Sequence, residues 1–165
     1  MLYRGAIHVK PGMRRRTRPS GAPAKPRRAR LTQPQYEMLA AFRYALRRFI
    51  HFSEAAAQEA GIAAQQHQAL LAIKGFPEHR RVTVGKLAER LQLRHHSAVG
   101  LVDRLEKENL AVRVPSAQDR RQVFIRLTQR GERILERLAA VHREQLRRIG
   151  PEITGLLKRL NHAEK

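Results

Sequence analysis

Apolar side chains between Pro34 and Gln58 recur at helical spacing: Leu39, Phe42, Leu46, Phe49 and Ile50 keep an i, i+3, i+4, i+7 rhythm. The pattern predicts one long helix over 34–58, ended by Gly61. A second helix is expected over roughly 63–74, burying Leu70, Leu71 and Ile73 and stopping at Gly75 ahead of Pro77. Val82 and Val84 suit a brief strand, and Thr83 can cap a helix that reaches Leu91 through Leu87 and Ala88. Residues 94–109 predict the next helix, with Asn109 placed for a left-handed C-terminal cap. Advancing about 100° per residue sets Ala98, Leu101, Val102 and Leu105 on one arc, the core face. His96, Gly100, Asp103, Arg104 and Lys107 fall opposite, while His95 projects toward the core side.

Past Asn109 the period drops to two. Residues 111–114 and 122–127 predict a hairpin with Val123, Ile125 and Leu127 on one face, joined by a loop from Pro115 to Arg121. Thr128 then caps a helix reaching about Arg148 through Ile134, Leu135, Leu138, Val141 and Leu146. Gly150-Pro151 is expected to break it before a last amphipathic helix carrying Ile153, Leu156, Leu157 and Leu160. The fold class is therefore mainly α with a small β-hairpin wing, built as a winged helix-turn-helix lobe plus N- and C-terminal dimerisation helices. The terminal helices are too long for the lobe alone, and a second copy of the chain is the simplest cover for their apolar faces.

Charge changes the picture. The chain has 165 residues, about one domain's worth, and its 34 Lys+Arg against 14 Asp+Glu give a formal +20. Ten of those bases lie in residues 1–30, which hold no acid, leaving 24 bases against 14 acids, or +10, in residues 31–165. The excess belongs to the folded part as well as to the tail, and a polyanionic partner follows, nucleic acid being the commonest. Residues 1–30, rich in Arg, Pro and Gly, are expected to be a disordered basic arm. They are either an arm that follows phosphates or an over-long start ahead of Met13. The remaining residues, 31–165, make a single domain whose lobe spans about 63–127, flanked by dimerisation helices at about 34–58 and 128–163.

No cysteine is present, which removes disulfides, thiolate metal sites and thiol catalysis. No apolar run is long enough to cross a bilayer, and the N-terminus lacks the apolar block of a secretory signal, so a cytoplasmic protein with no membrane partner is expected. His51, His67, His79 and the adjacent His95-His96 show no ligand spacing, so neither metal nor cofactor is expected. Phosphate-cradling glycine loops, nucleophile elbows and paired-carboxylate motifs are missing, and no enzyme is expected.

The most informative motif is Asp119-Arg120-Arg121 at the hairpin tip. Two adjacent guanidinium groups beside a carboxylate suit the narrow, negative minor groove of DNA. A recognition helix meets base edges through its N-terminal residues, which makes His96 and Ser97 the base-reading candidates, with Arg94 near the phosphates and Arg104 and Lys107 further along. Gly100 lies one turn after His96 on the outer face, where a missing side chain lets the helix approach the duplex. Arg113, near the wing base, and Lys86 are candidate phosphate contacts.

Residues 87–131 resemble the MarR family of bacterial winged helix-turn-helix transcription regulators. The run from Leu91 to Leu110 is similar to that family's recognition helix and exit turn. Arg113, Pro115, Asp119-Arg120-Arg121, Leu127-Thr128 and Gly131 resemble its wing signature in type and spacing. Asn109 stands in place of the usual glycine, and Gly100 where a polar or basic residue is common. The resemblance implies a homodimer on a palindromic operator in double-stranded DNA, usually as a repressor. It implies that Arg121 enters the minor groove while Asp119 pairs with an arginine to fix the hairpin. It also implies release by small aromatic or phenolic effectors bound between dimer body and lobe. Phe49, Phe52 and His67 lie near that cleft, with Arg48 as a base for an anion. The competing function is a sequence-indifferent nucleic-acid-binding or architectural protein driven by the basic tail.

Overall fold

The computed structural model describes residues 30–77, 81–119 and 121–162. The chain divides into two units, Met1–Leu31 and Thr32–Lys165. The arm expected over residues 1–30 lies, apart from Arg30, outside the described residues. The second unit runs α1 (Gln33–Glu59), α2 (Ala64–Lys74), α3 (Val84–Leu91), α4 (His95–Lys107), β1 (Ala111–Pro115), β2 (Val123–Leu127) and α5 (Gln129–His162). Fold class follows the periodicity, and apart from an expected strand at Val82 and Val84 and an expected break at Gly150-Pro151 the element boundaries lie within about two residues of those expected.

Helix ends show why. Gly61 takes a left-handed φ of +78°, which lets Ile62 N–H reach back to Ala57 O at 3.0 Å and closes α1. Gln92 and Asn109, both at φ 54°, close α3 and α4 alike, through Leu93 N–H to Ala88 O and Leu110 N–H to Leu105 O, each 2.8 Å. The Thr83 side chain caps α3 by accepting from Lys86 N–H. The Gln66 side chain accepts from Ala63 N–H at the start of α2 and donates to Glu108 at 2.8 Å, pinning α2 to the end of α4.

The lobe core gathers Leu70, Leu87, Leu101, Leu105, Leu110 and Ile125, all fully buried, from α2, α3, α4 and the hairpin. The strands pair antiparallel, Ala111 opposite Leu127 and Arg113 opposite Ile125. Opposed residues share a sheet face, so Arg113 emerges on the side that Ala111 and Ile125 turn to the core. Where α5 starts, Thr128 N–H donates to Leu110 O at 3.1 Å, its hydroxyl donates to Asn109 O at 2.6 Å, and Gly131 N–H returns to that hydroxyl at 3.1 Å.

Two expectations are corrected. Val82 and Val84 form no strand: Val84 opens α3, and Val82 is a buried coil residue whose carbonyl accepts one bond from Ile125 N–H at 2.7 Å. A single bond anchors it to the hairpin without extending the sheet. Nor does Gly150-Pro151 break the last helix, because α5 continues to His162 with Pro151 inside. Ile149 and Leu156, on either side of that proline, are both buried, and α5 packs along α1. Burial of an in-phase apolar stripe outweighs the missing N–H and local clash, worth about 3 kcal/mol. Among the described residues no helix is long and apolar enough to cross a membrane.

Candidate nucleic-acid interface

Helix α4 is two-sided as its spacing requires. Ala98, Leu101, Val102 and Leu105 are fully buried, while His96, Ser97, Asp103, Arg104 and Lys107 are exposed. Arg94 sits at the N-cap, exposed beside the first turn. His95, expected on the core side, is exposed instead, because the core covers that arc only from Ala98 onward. The first turn therefore offers His95, His96 and Ser97 together. Gly100 is half-buried, and a Cβ built there would meet Arg104 Nη1 at an ordinary 3.7 Å. The fold does not need this glycine, so Gly100→Ala should stabilise α4 by up to about 1 kcal/mol, measurable by urea denaturation. If the outer face approaches DNA closely, the same variant binds its operator less tightly despite being more stable.

The wing is held from inside its own turn. Ser116 Oγ accepts from Gln118 N–H at 3.2 Å and Asp119 N–H at 3.3 Å. Asp119 Oδ1 accepts from Arg121 N–H at 3.0 Å and Oδ2 from the Gln122 amide at 3.1 Å. Among the described residues, Asp119 thus stiffens the tip through the main chain of Arg121 and through Gln122, with no guanidinium partner. The Arg121 side chain is exposed, and Arg120 lies outside the described residues.

Arg113 does something its sequence position did not suggest. Its guanidinium donates to Asp103 Oδ1 at 2.7 Å and to Glu106 Oε2, and its backbone N–H donates to Glu106 Oε1 at 2.8 Å. Burial opposes the charge, but the hydrogen bonds and the two carboxylates outweigh it and raise the pKa above the ordinary value. With both edges of its fork engaged, Arg113 clamps the wing to α4. Lys86 stands over the Phe76 ring, 5.3 Å from its centroid.

A helix, a left-handed turn, a second helix with a polar outer face and an adjoining stiffened hairpin make a winged helix-turn-helix. The model of the MarR family matches residues 60–122 of this chain. Residues 60–122 are thus similar to the MarR family. Two curated relatives come from Bacillus subtilis. One is an uncharacterized HTH-type transcriptional regulator, YsmB, 36% identical over 66 residues (40% of this chain and 45% of that protein). The other is the HTH-type transcriptional repressor MdtR, 30% identical over 71 residues, or 43% and 46%. The match thus spans less than half the length of either relative. A mutant of S. aureus MepR, bound to an oligodeoxyribonucleotide, superposes with a TM-score of 0.60 at 20% identity, covering 79% of this chain and 98% of that one. That likeness extends the shared fold beyond the matched lobe.

Behind the winged helix-turn-helix lobe, α1, α2 and α5 enclose a cavity of about 520 Å³. Phe49, Ile50, Leu71 and Leu146 supply most of its apolar wall, and Ser53, His67, His142 and Arg143 its polar side. Phe49 and His67 were expected here. Phe52 lies behind the wall, edge-on to His142 at 5.8 Å. Arg48 does not line the cavity but pairs with Glu152 at 3.5 Å, and the base on the wall is Arg143. His142 and Arg143 were missed because they come from α5, some 75 residues from His67 in sequence. The available signal was His142 falling on the apolar stripe of Leu138 and Leu146.

His67 is 4% exposed, and its pKa lies below the ordinary 6.5, first because burial disfavours the charged ring and second because of His142. The unfolded chain therefore takes up a proton near pH 6.5 that the folded chain still refuses. Stability is full above that pH and falls as pH drops toward the lowered folded value. Relative to wild type, His67→Gln should flatten this acid-side loss in urea titrations at pH 7.5, 6.5 and 5.5.

Proposed function

We propose that the chain is a sequence-specific transcriptional regulator, a repressor that binds a palindromic operator as a homodimer and is released by a small aromatic effector. The observation that carries this reading is the Arg113 clamp. A helix in the major groove and a wing in the minor groove read one site together only if their separation is fixed, and the ties to Asp103 and Glu106 hold it. A sequence-indifferent binder relying on charge has no use for such a link. DNA bound to a protein of the same fold and the relatives' naming as regulators favour the same role.

Exposed Tyr36, Leu39, Tyr44 and Leu46 on α1 and Val141, Leu146 and Leu157 on α5 support the homodimer. In this reading His96 and Ser97 meet base edges, Arg94, Arg104 and Lys107 lie along phosphates, and Arg121, with Arg120, enters the minor groove. Selection of bound duplexes from random sequence, followed by footprinting, tests it. A protected palindrome with half-sites about one helical turn apart is expected, whereas uniform, salt-limited binding to every duplex hands the role to the sequence-indifferent alternative. Arg121→Ala should weaken the selected operator by about tenfold, near 1.4 kcal/mol, with the melting temperature unchanged. Unaltered affinity in a gel-shift titration would take Arg121 out of the interface.

A further inference from the structure

A second recess, about 620 Å³ and open to solvent, lies where α5 begins. Ala60 at the end of α1 and Arg130, Arg133, Ile134, Glu136 and Arg137 of α5 line it. Helical geometry sets the three arginines on one arc of about 60°, with axial steps of about 4.5 Å and then 6 Å. All three are exposed, and among the described residues none makes an ion pair or a side-chain hydrogen bond. Glu132, in the same run of sequence, is engaged with Lys74 of α2 at 2.7 Å. Glu136 forms no ion pair with the arginines, so the lining carries three positive charges against one negative. Its floor is apolar, made by Ala60 and by Ile134, which is buried in the lobe core.

The place of this recess decides what can reach it. The first turn of α5 is tied to the exit of α4, because the Thr128 hydroxyl donates to Asn109 O at 2.6 Å and accepts from Gly131 N–H at 3.1 Å. His95, His96 and Ser97 lie at the other end of α4, a helix of 13 residues, or about 20 Å. A duplex met by that first turn leaves the three arginines uncovered. They do not suit a homodimer seam either. The exposed large apolar residues of α5 begin at Val141, one turn past Arg137, and like charges repel across a two-fold axis.

A second duplex is a poor match as well. Its backbone is a rigid, convex ridge of phosphates, whereas these cations rim a hollow with an apolar floor and a carboxylate inside it. An acidic helix matches better. Carboxylates at i, i+4 and i+7 of an antiparallel helix repeat the steps from Arg137 to Arg133 to Arg130, so each meets one guanidinium fork. An apolar side chain at i+3 then falls opposite Ile134 and rests on the floor.

We propose that this recess is a docking groove for an acidic amphipathic helix of another protein, on a face that the recognition helix leaves free. Docking here needs no operator, so it stands or falls apart from the regulator reading.

Fluorescence anisotropy with the full chain, without DNA and at physiological ionic strength, tests it. The probe is a labelled peptide with glutamate at i, i+4 and i+7 and leucine at i+3, and a scrambled peptide of the same composition is the control. Exposed ion pairs are individually weak, so the ordered peptide should bind about tenfold more tightly than the scrambled one, the sum of three such pairs. Combining Arg130→Gln, Arg133→Gln and Arg137→Gln should remove that factor with the melting temperature unchanged. The charge-matched control combines Arg43→Gln, Arg47→Gln and Arg159→Gln, exposed positions each about 20 Å or more along a helix from the recess. It should cost far less, because charges that distant are screened. Glu136→Gln should tighten binding by about twofold, the effect of one exposed charge. Equal binding of the two peptides, equal losses in the two triple variants, or weaker binding by Glu136→Gln would overturn the proposal. In a gel shift with duplex DNA the recess variant should match the charge-matched control, and a larger loss would assign the recess to nucleic acid and overturn it too.

Discussion

Replacing Gly131 by alanine is expected to destabilise the protein by about 3 kcal/mol, the upper part of the range for overpacking. That corresponds to a fall in melting temperature of roughly 6–12 °C for a chain of this size. A Cβ at this position would overlap the carbonyl oxygen of Leu110 and stand 3.0 Å from its carbon. The obstacle is main chain, and it cannot swing aside. Leu110 is fully buried and follows the left-handed Asn109, and its carbonyl accepts from Thr128 N–H at 3.1 Å. The Thr128 hydroxyl ties Asn109 to Gly131 in the same turn. Any shift that relieves the overlap must loosen the exit of α4 or the entry of α5. Thermal and urea melts measure the loss, and a variant as stable as wild type would mean that the contact at this junction is not as close as described. Gly150→Ala, where a Cβ meets nothing within 4 Å, serves as the control and should not destabilise.

The second large effect is expected for Arg113→Met. Methionine keeps most of the side-chain volume but releases Asp103 and Glu106 together, leaving two uncompensated carboxylates on the helix proposed to meet DNA. Truncating one member of a hydrogen-bonded charge cluster at an interface costs about 2–3 kcal/mol of affinity, a roughly 30- to 150-fold weakening. The effect on folding should be smaller, about 1–2 kcal/mol, because Asp103 is more than half exposed and water takes up part of the lost interaction. Gel-shift titration against the selected operator, well below the melting temperature, separates the two effects. Adding Asp103→Asn and Glu106→Gln to Arg113→Met should recover much of the affinity, since the repulsion disappears with the charges. Wild-type affinity in the single variant would show that the clamp does not position the wing.

Periodicity carried the local architecture. The buried arc of α4 contains the four residues that a helical wheel puts there, Asn109 adopts the left-handed cap, and the alternation after it becomes a hairpin. These features depend on a helix or strand meeting water on one side and apolar atoms on the other, and that requirement is written in residue order. The misplaced features need a neighbour. Gly150-Pro151 is a helix break by every local rule, yet α5 continues because α1 supplies a surface for its stripe. Val82 has strand propensity, but the hairpin offers it one bond instead of an edge to extend.

The candidate interface divides in the same way. Which side chains of α4 point outward was legible except at His95, where no core covers the arc that the helical wheel assigns to it. Arg113 looked like a phosphate contact beside the wing, since nothing in linear order brings it to Asp103 and Glu106. Only the antiparallel register, setting it opposite Ile125 on the core-side face, turns it toward α4. Of the residues named near the cleft, Phe49 and His67 line the cavity, Arg48 pairs with Glu152 outside its lining, and His142 on its wall went unnamed. Residue order thus settled the helices, the hairpin and the sides they show to water, since each follows from short-range spacing and the avoidance of exposed apolar surface. Three-dimensional packing alone decided which charge meets which and which two imidazoles share a wall, because those pairings join segments that touch only after the chain has folded.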